Sequence, residues 1–469
     1  MRDLVIFFYD KRGPMKSKIF LTAGFALSLL CAACSDDSNS LSASDAGKDD
    51  GKIAGSQNIE TENGATFETK GNPSTYEYGI TESYDGAVRM VDVVSATAEP
   101  TSVMVPDEYV PVDYAPGGVI DEYNGRTYGL LTASEWNDLD NWSDWTDILK
   151  GEFSDKTSYW NFYPHTLAAV KVVDENGKGL ANVSVELLNN DKVEFATKTD
   201  NSGLAYCWVR LFEGYTEEAL NSEDFSLKVN GDVSENSVKF THNYNDSLEL
   251  NVITSDAKQA DAKADVAFIV DATGSMGDEI RFLQSDLSYI IDHAYSDTKV
   301  ALRTAVLFYR DEDDEYLLQG KDFSTDVANT QAFIADQYAT GGGDFPEAVH
   351  TALEASLQNF SWNESARARI AFLILDAPAH HQTDVIESLQ KSIKLYAKNC
   401  IKLIPVAASG IDKDTESMLR FFDIITGGTY VFLTDDSGIG YSHLEASVGD
   451  TNVEKLADLM IRLIKKYVE

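Results

Sequence analysis

The stretch Asp265–Gly277 reads DVAFIVDATGSMG, a hydrophobic run followed by Asp271, Thr273 and Ser275 at alternate positions and then a glycine. Apolar side chains on both faces of a strand are tolerated where helices cover both sides of a sheet, so Val266–Asp271 is predicted to be a buried parallel strand. One carboxylate and two hydroxyls then fall on a short loop that leads into a helix starting near Asp278. Hard divalent cations such as Mg2+ take oxygen ligands and keep several waters, which suits this loop. Neither Cys nor His stands in it to recruit zinc. The same residues also suit a strand running into a helix cap, because Asp, Ser and Thr all satisfy the unpaired N–H groups of a first turn.

Downstream, the hydrophobic period alternates between helix and strand. Helices are expected at Ile280–Ala294, Val327–Tyr338, Val385–Lys398, Thr415–Ile425 and Val453–Tyr467. Strands are expected at Lys299–Tyr309, Arg369–Leu375, Ile401–Ala407 and Thr429–Leu433, with an edge strand after the acidic run Asp311–Glu315. This alternation predicts a doubly wound, mostly parallel sheet, whose ligands bind beyond the carboxyl ends of the strands. Two more oxygen-bearing loops belong at that end. One is Thr340-Gly-Gly-Gly-Asp344-Phe-Pro-Glu347, with Pro346 expected in the first turn of a helix, and the other is Asp376 in FLILDAPAHH.

These loops resemble the metal-ion-dependent adhesion site of von Willebrand factor type A domains, whose first loop has the form D-x-[ST]-x-S. The resemblance covers roughly Asp265–Glu469. It implies a Rossmann-like α/β domain binding Mg2+, or Ca2+ or Mn2+, through Asp271, Thr273, Ser275, Asp344 and Asp376. Thr340 is the alternative to Asp344, because the family supplies a threonine in this loop. It further implies that hydroxyls touch the ion, that aspartates act through water, and that an open position accepts an acidic residue of a partner. Ala377-Pro378 replaces the glycine usual in the third loop. His380 and His381 are adjacent and lack the spacing of a metalloprotease helix, so they are expected to be solvated or to face a partner. The acidic run reads as a solvated turn at a sheet edge, with a secondary calcium as the alternative.

Length and charge bound the remainder. A chain of 469 residues accommodates several domains, and 38 Lys and Arg against 77 Asp and Glu give a net charge of −39. So acidic a surface repels a phosphate backbone and argues against nucleic acid as a partner. Of the four cysteines, Cys207 and Cys400 sit in apolar settings suited to buried free thiols, and Cys31 and Cys34 belong to an export signal.

From Met15, a plausible true start, two lysines precede an apolar run from Ile19 to Ala33 that is too short to span a membrane. Ala32-Ala33-Cys34 resembles a bacterial lipobox closing a signal segment over residues 1–34, which implies lipidation at Cys34 as the first residue of the mature protein and a membrane anchor there. Asp36-Asp37 resembles the acidic tag of surface-displayed outer-membrane lipoproteins. Residues 35–74 are poor in large apolar side chains and read as a disordered tether.

An aromatic-rich region at 75–165 carries Trp136, Trp142, Trp145, Trp160 and Phe162. These rings are expected to pack as core, with a glycan-stacking platform as the alternative. Between 166 and 254, alternating residues broken at Glu175-Asn176-Gly177 and Asp200-Asn201-Ser202-Gly203 predict about seven short strands in an all-β sandwich. This stretch resembles Ig-like modules of the carboxypeptidase regulatory or CnaB type, which serve as spacers. Residues 255–264 read as a polar linker to the domain at 265–469.

The function expected is therefore binding and not catalysis: a lipid-anchored protein that takes a protein or extracellular-matrix ligand through a divalent cation. The alternatives are an envelope assembly subunit, a glycan binder, and a hydrolase using Glu347 or His381 as general base.

Overall fold

The computed structural model describes residues 65–69, 119–121, 126–128, 131–214, 220–312, 314–343, 345–435 and 445–469. Cys34, its flanking export signal and Asp344 lie outside the described residues. In chain order, β1 (Thr66–Thr69), the short pair β2 (Val119–Asp121) and β3 (Arg126–Tyr128), and β4 (Thr132–Trp136) precede helices α1 (Trp142–Lys150) and α2 (Lys156–Trp160). Eight strands follow: β5 (Thr166–Val173), β6 (Ser184–Asn189), β7 (Lys192–Lys198), β8 (Leu204–Trp208), β9 (Phe225–Val229), β10 (Asp232–Val233), β11 (Thr241–His242) and β12 (Leu250–Thr254). The last part alternates: β13 (Asp261–Asp271), α3 (Gly277–Thr298), β14 (Ala301–Tyr309), β15 (Leu318–Ser324), α4 (Val327–Ala335), α5 (Val349–Asn359), β16 (Ala366–Leu375), α6 (Thr383–Lys398), β17 (Ile401–Ala407), α7 (Lys413–Thr426), β18 (Tyr430–Thr434), β19 (Glu454–Lys455) and α8 (Leu456–Val468). Among the described residues no helix is long and apolar enough to cross a membrane.

The main sheet runs β1-β15-β14-β13-β16-β17-β18-β4-β19. Its centre, β14-β13-β16-β17-β18, is parallel, whereas β15, β1, β4 and β19 pair antiparallel at the two edges, so the sheet is mixed. Side chains alternate between the faces of β13: Val266, Phe268 and Val270 pack under α3, α4 and α8, while Ala267 and Ile269 face the layer built from α5, α6 and α7. Helices on both faces explain why this strand reads as a continuous apolar run.

Both edges recruit residues from outside 265–469. Thr66–Thr69, within the stretch expected to be a tether, is a strand because Phe67 provides an apolar anchor. Its ring lies over Gly320, where an added Cβ would come within 2.4 Å, and it meets Phe360 edge-on at 6.1 Å. At the other edge β4 pairs with β18, Trp136 opposite Tyr430. The polar stretch before Asp265 is likewise not all linker, since Asp261–Ala264 extends β13. Pro346 lies three residues ahead of α5 instead of in its first turn, because Glu347 is held in a bridge with Ala379.

The described tryptophan-bearing part of the aromatic-rich region, from Leu131 on, packs as core. Trp136, Trp142, Trp145, Trp160 and Phe162 are all buried. Trp145, Phe153 and Phe162 converge on Phe421 of α7 at centroid distances of 5.9, 6.2 and 6.1 Å. Rings packed this way have no face left to offer a sugar. Asp138 from the same region grips the buried Arg420 of α7 through both oxygens, at 2.5 and 3.0 Å.

The eight strands β5–β12 form two small sheets, β10-β9-β6-β7 and one in which β11, β12 and β8 flank β5. All pairs are antiparallel except β12 with β5. Their apolar residues belong to the same core as α5, α6 and α7. Polar contacts cross the junction as well: Trp208 Nε1 donates to the Ile425 carbonyl, Arg369 to Asn182, and Lys402 pairs with Asp200 at 3.2 Å. Cys207 and Cys400 are free thiols buried in this region.

Two tests follow from these junctions. Asp138→Ala leaves the Arg420 guanidinium buried with the weaker partner Glu416 at 3.8 Å, and we expect a loss of about 3–5 kcal/mol in denaturant unfolding. Burial raises the Asp200 carboxyl, but Lys402, Ser202 and the Leu204 N–H together outweigh that and hold it below 3.8. A depressed folded-state value contributes stability that is complete above 3.8 and is lost as pH falls below it. Melting temperatures across pH 2–6 should therefore show a shallower acid limb in Asp200→Asn than in the unaltered chain.

Candidate metal centre

The three predicted loops meet at the carboxyl ends of β13 and β16. Backbone hydrogen bonds tie the first loop to the second, Thr340 N to Ala272 O at 3.0 Å and Gly274 N to Gly341 O at 3.2 Å. Another ties the second to the third, Glu347 N to Pro378 O at 2.9 Å. Gly341 and Gly342 adopt φ of +85° and +72°, and an added Cβ at Gly341 would fall 2.3 Å from the Asp314 carboxylate. Only glycine fits that turn without strain, which is why the run of glycines is there.

Asp271 closes β13 and is fully buried. Its Oδ1 accepts from the Thr273 backbone N–H at 2.8 Å and from the Thr273 hydroxyl at 2.7 Å, an Asx-type turn that fixes the loop. Its Oδ2 has no hydrogen-bond partner. Burial pushes this carboxyl up to about 7, with the Asp376 charge adding to the effect. Asp376, directly after β16, is raised by burial, partly offset by a hydrogen bond from the Ser275 hydroxyl. Ser275 itself is exposed, so the cluster has a face open to solvent. The structure thus brings together Asp271, Thr273, Ser275 and Asp376, and places Thr340 beside them through its backbone.

Two acids beyond the expected set stand here. Glu347 is 3% exposed, its Oε2 is unpartnered, and burial followed by the charges of Asp271, Asp311, Asp314 and Asp376 lifts it to about 9. Glu279, in the first turn of α3, rises to about 8, chiefly by burial, with Asp376 and Asp278 contributing. Tyr309 faces Asp271 in the strand register, and its buried hydroxyl, although it makes no close hydrogen bond, lies near enough to help hold the Asp271 carboxyl down. Sequence pattern does not single out this second ring, because Glu279 enters from the start of α3 and Tyr309 through the pairing of β13 with β14.

His381 and Glu315 are exposed, as a solvated turn requires, but Asp311, Asp314 and both histidines also have folded partners. Asp311 bonds His380 Nε2 at 2.7 Å, and Asp314 accepts the Gly342 N–H at 2.9 Å, so the run braces the glycine loop. His381 stacks on Tyr159 at 3.8 Å and bonds its carbonyl. Neither imidazole is placed beside Asp271.

Several buried carboxylates, two of their oxygens orphaned and none ion-paired with a Lys or Arg among the described residues, form an arrangement that a dication would relieve. Among the described residues no three His, Cys, Asp or Glu side chains converge closely enough to chelate an ion alone. The donor set that fits is therefore two carboxylates with the Thr273 and Ser275 hydroxyls and water, as suits Mg2+.

Residues 265–415 match the family model of the von Willebrand factor A domain. The chain contains such a domain. Over 216 residues, 42% of its length, the chain is 27% identical to a protein of Acanthamoeba polyphaga mimivirus that bears the name ariadne-like RING finger protein, and it spans 20% of that relative. Among solved structures it is similar to the conserved hypothetical protein BatB from Bacteroides thetaiotaomicron, at 14% identity and a TM-score of 0.28, over 38% of this chain and 91% of that one. It is also similar to proximal thread matrix protein 1 from the mussel byssus, whose MIDAS motif holds zinc, at 16% identity and a TM-score of 0.31, over 45% of this chain and 47% of that one.

Relieving the buried charge has opposite consequences with and without metal. In EDTA, Asp271→Asn should melt above the unaltered chain, by about 2–4 °C for each kcal/mol of burial cost removed. In millimolar Mg2+ the order should reverse, because only the carboxylate gains from the ion, and calorimetric melts in the two buffers check both signs.

Proposed function

We propose that this chain is a binding protein whose von Willebrand factor A domain takes a protein or extracellular-matrix ligand through a divalent cation. The observation that carries the reading is the unpartnered, fully buried Asp271 Oδ2 beside the exposed Ser275, at the mouth of three interlocked loops. Asp271, Thr273, Ser275 and Asp376 would hold the ion, with Asp344 or Thr340 completing the set from the second loop. When bound, the cation supplies a local positive charge that an acidic residue of the partner can complete. The protein's own part is to hold the oxygens in place: Thr273 locks Asp271, Ser275 orients Asp376, and the Asp314 brace fixes the glycine loop. Binding is favoured over hydrolysis because His381 is committed to stacking on Tyr159. Anchoring through a lipid on Cys34, with display on the outer membrane, is part of the same proposal and rests on the lipobox-like sequence.

The experiment is retention of the purified full-length chain on cell-surface or matrix protein extracts, in Mg2+ and in EDTA. Retention should require Mg2+ and fall at least about tenfold in Asp271→Ala, in line with the loss of a ligating group. Retention indifferent to both chelation and the substitution would refute the reading.

A further inference from the structure

Glu347 follows the glycine loop, and the sequence offers it only as a possible general base. In the fold its main chain is pinned at both sides: its N–H donates to Pro378 O, two residues beyond Asp376, and its carbonyl accepts from Val349 N at 2.8 Å. Its carboxylate is thereby held inside the loop cluster. At Gly342, the Cβ position that the glycine leaves empty lies 3.0 Å from Glu347 Oε1 and 3.3 Å from Thr273 Cβ, so the acid and the first-loop threonine flank the same backbone. Glu347 is 3% exposed, its Oε2 has no hydrogen-bond partner, and no Lys or Arg is paired with it among the described residues. Two such oxygens, Glu347 Oε2 and Asp271 Oδ2, are both orphaned in one cluster. A buried carboxylate left without a partner costs several kcal/mol unless a cation or donor reaches it.

We propose that Glu347 supplies the second loop's carboxylate to the cation site at Asp271, bonding a water of the kind a hard divalent ion retains. Thr340, drawn to the first loop by its backbone N–H on Ala272 O, has a hydroxyl to offer but no carboxylate. Contact through water agrees with the spacing of the described acids, which do not close on a single point. The inference rests on the cation-binding reading above, and extends it to a residue that the first-loop pattern does not contain.

The test is isothermal titration of Mg2+, and separately Ca2+, into the full-length chain, its Glu347→Gln form and its Asp271→Ala form. Expected are binding by the unaltered chain, loss in Asp271→Ala, and a 10–100-fold weaker affinity in Glu347→Gln, the range for groups that act through a ligand or its water. A Glu347→Gln affinity within about twofold of the unaltered chain, with Asp271→Ala still dead, overturns the role of Glu347 and leaves the cation reading standing. No heat from the unaltered chain overturns both. Melts in EDTA guard against misfolding: Glu347→Gln should be at least as stable as the unaltered chain, and a lower melting temperature would mark Glu347 as a structural group and overturn the proposal.

Discussion

A strand covered by helices on both faces can place charge only at the ends of its covered part, and in β13 the apolar run Val266–Val270 is bounded by two buried aspartates, Asp265 and Asp271. At the start, Asp265 is held by Arg303 in a two-bond clasp at 2.9 and 2.8 Å and also accepts the Asn363 N–H at 2.6 Å. At the other end, Asp271 has Thr273 and no ion pair, the neighbouring Arg310 guanidinium donating instead to the Ala272 and Tyr338 carbonyls. Residue type, strand and burial are the same, so the difference lies in what the surroundings supply. One end of the sheet is neutralised by the protein itself, while the other gathers Asp376, Glu347 and Glu279 around an acid that already lacks a counter-charge. A fold tolerates that imbalance when something from outside makes up the missing positive charge.

The order of strands and helices after Asp265 was legible because each element there has a strong period and a clear stop. Ile401–Ala407 is a strand to the residue, and Arg369–Leu375 differs only by an earlier start at Ala366. The edges were not legible. β1 and β4 are four and five residues long, and nothing in TFET or TASEW says which sheet they join. Their identity comes from partners more than 200 residues away, the Phe67 ring over Gly320 and the Thr132 hydroxyl on Thr434 O. Composition did indicate that the tryptophans are core, since large rings are seldom left in water. Their target, Phe421, could not be named without the fold.

The same division holds at the metal centre. Asp271, Thr273 and Ser275 lie on one loop at alternate positions, and Asp376 ends a neighbouring strand, so local pattern and sheet topology suffice to bring them together. Glu347 and Glu279 escape such reading because their carboxylates enter from a bridge and a helix start that only the packed loops define. The acidic run at Asp311–Glu315 shows the converse. Its charge suggested a wet turn, but Asp311 and Asp314 are held by His380 and the Gly342 N–H.

The pairing of β4 with β18 has a bearing on how the chain is made. Thr132 and Thr434 are separated by 302 residues, so a strand synthesised in the first third of the chain finds its partner only near the end of translation. Closing so long a loop costs little more free energy than closing a moderate one, but it delays the event. Until α7 emerges, the Trp136–Trp160 segment has no Phe421 to pack on and must stay out of aggregates by other means. For the same reason a fragment cut at Asp265 would present β18 with a bare hydrogen-bonding edge, a template for self-association that the intact chain covers with its own β4.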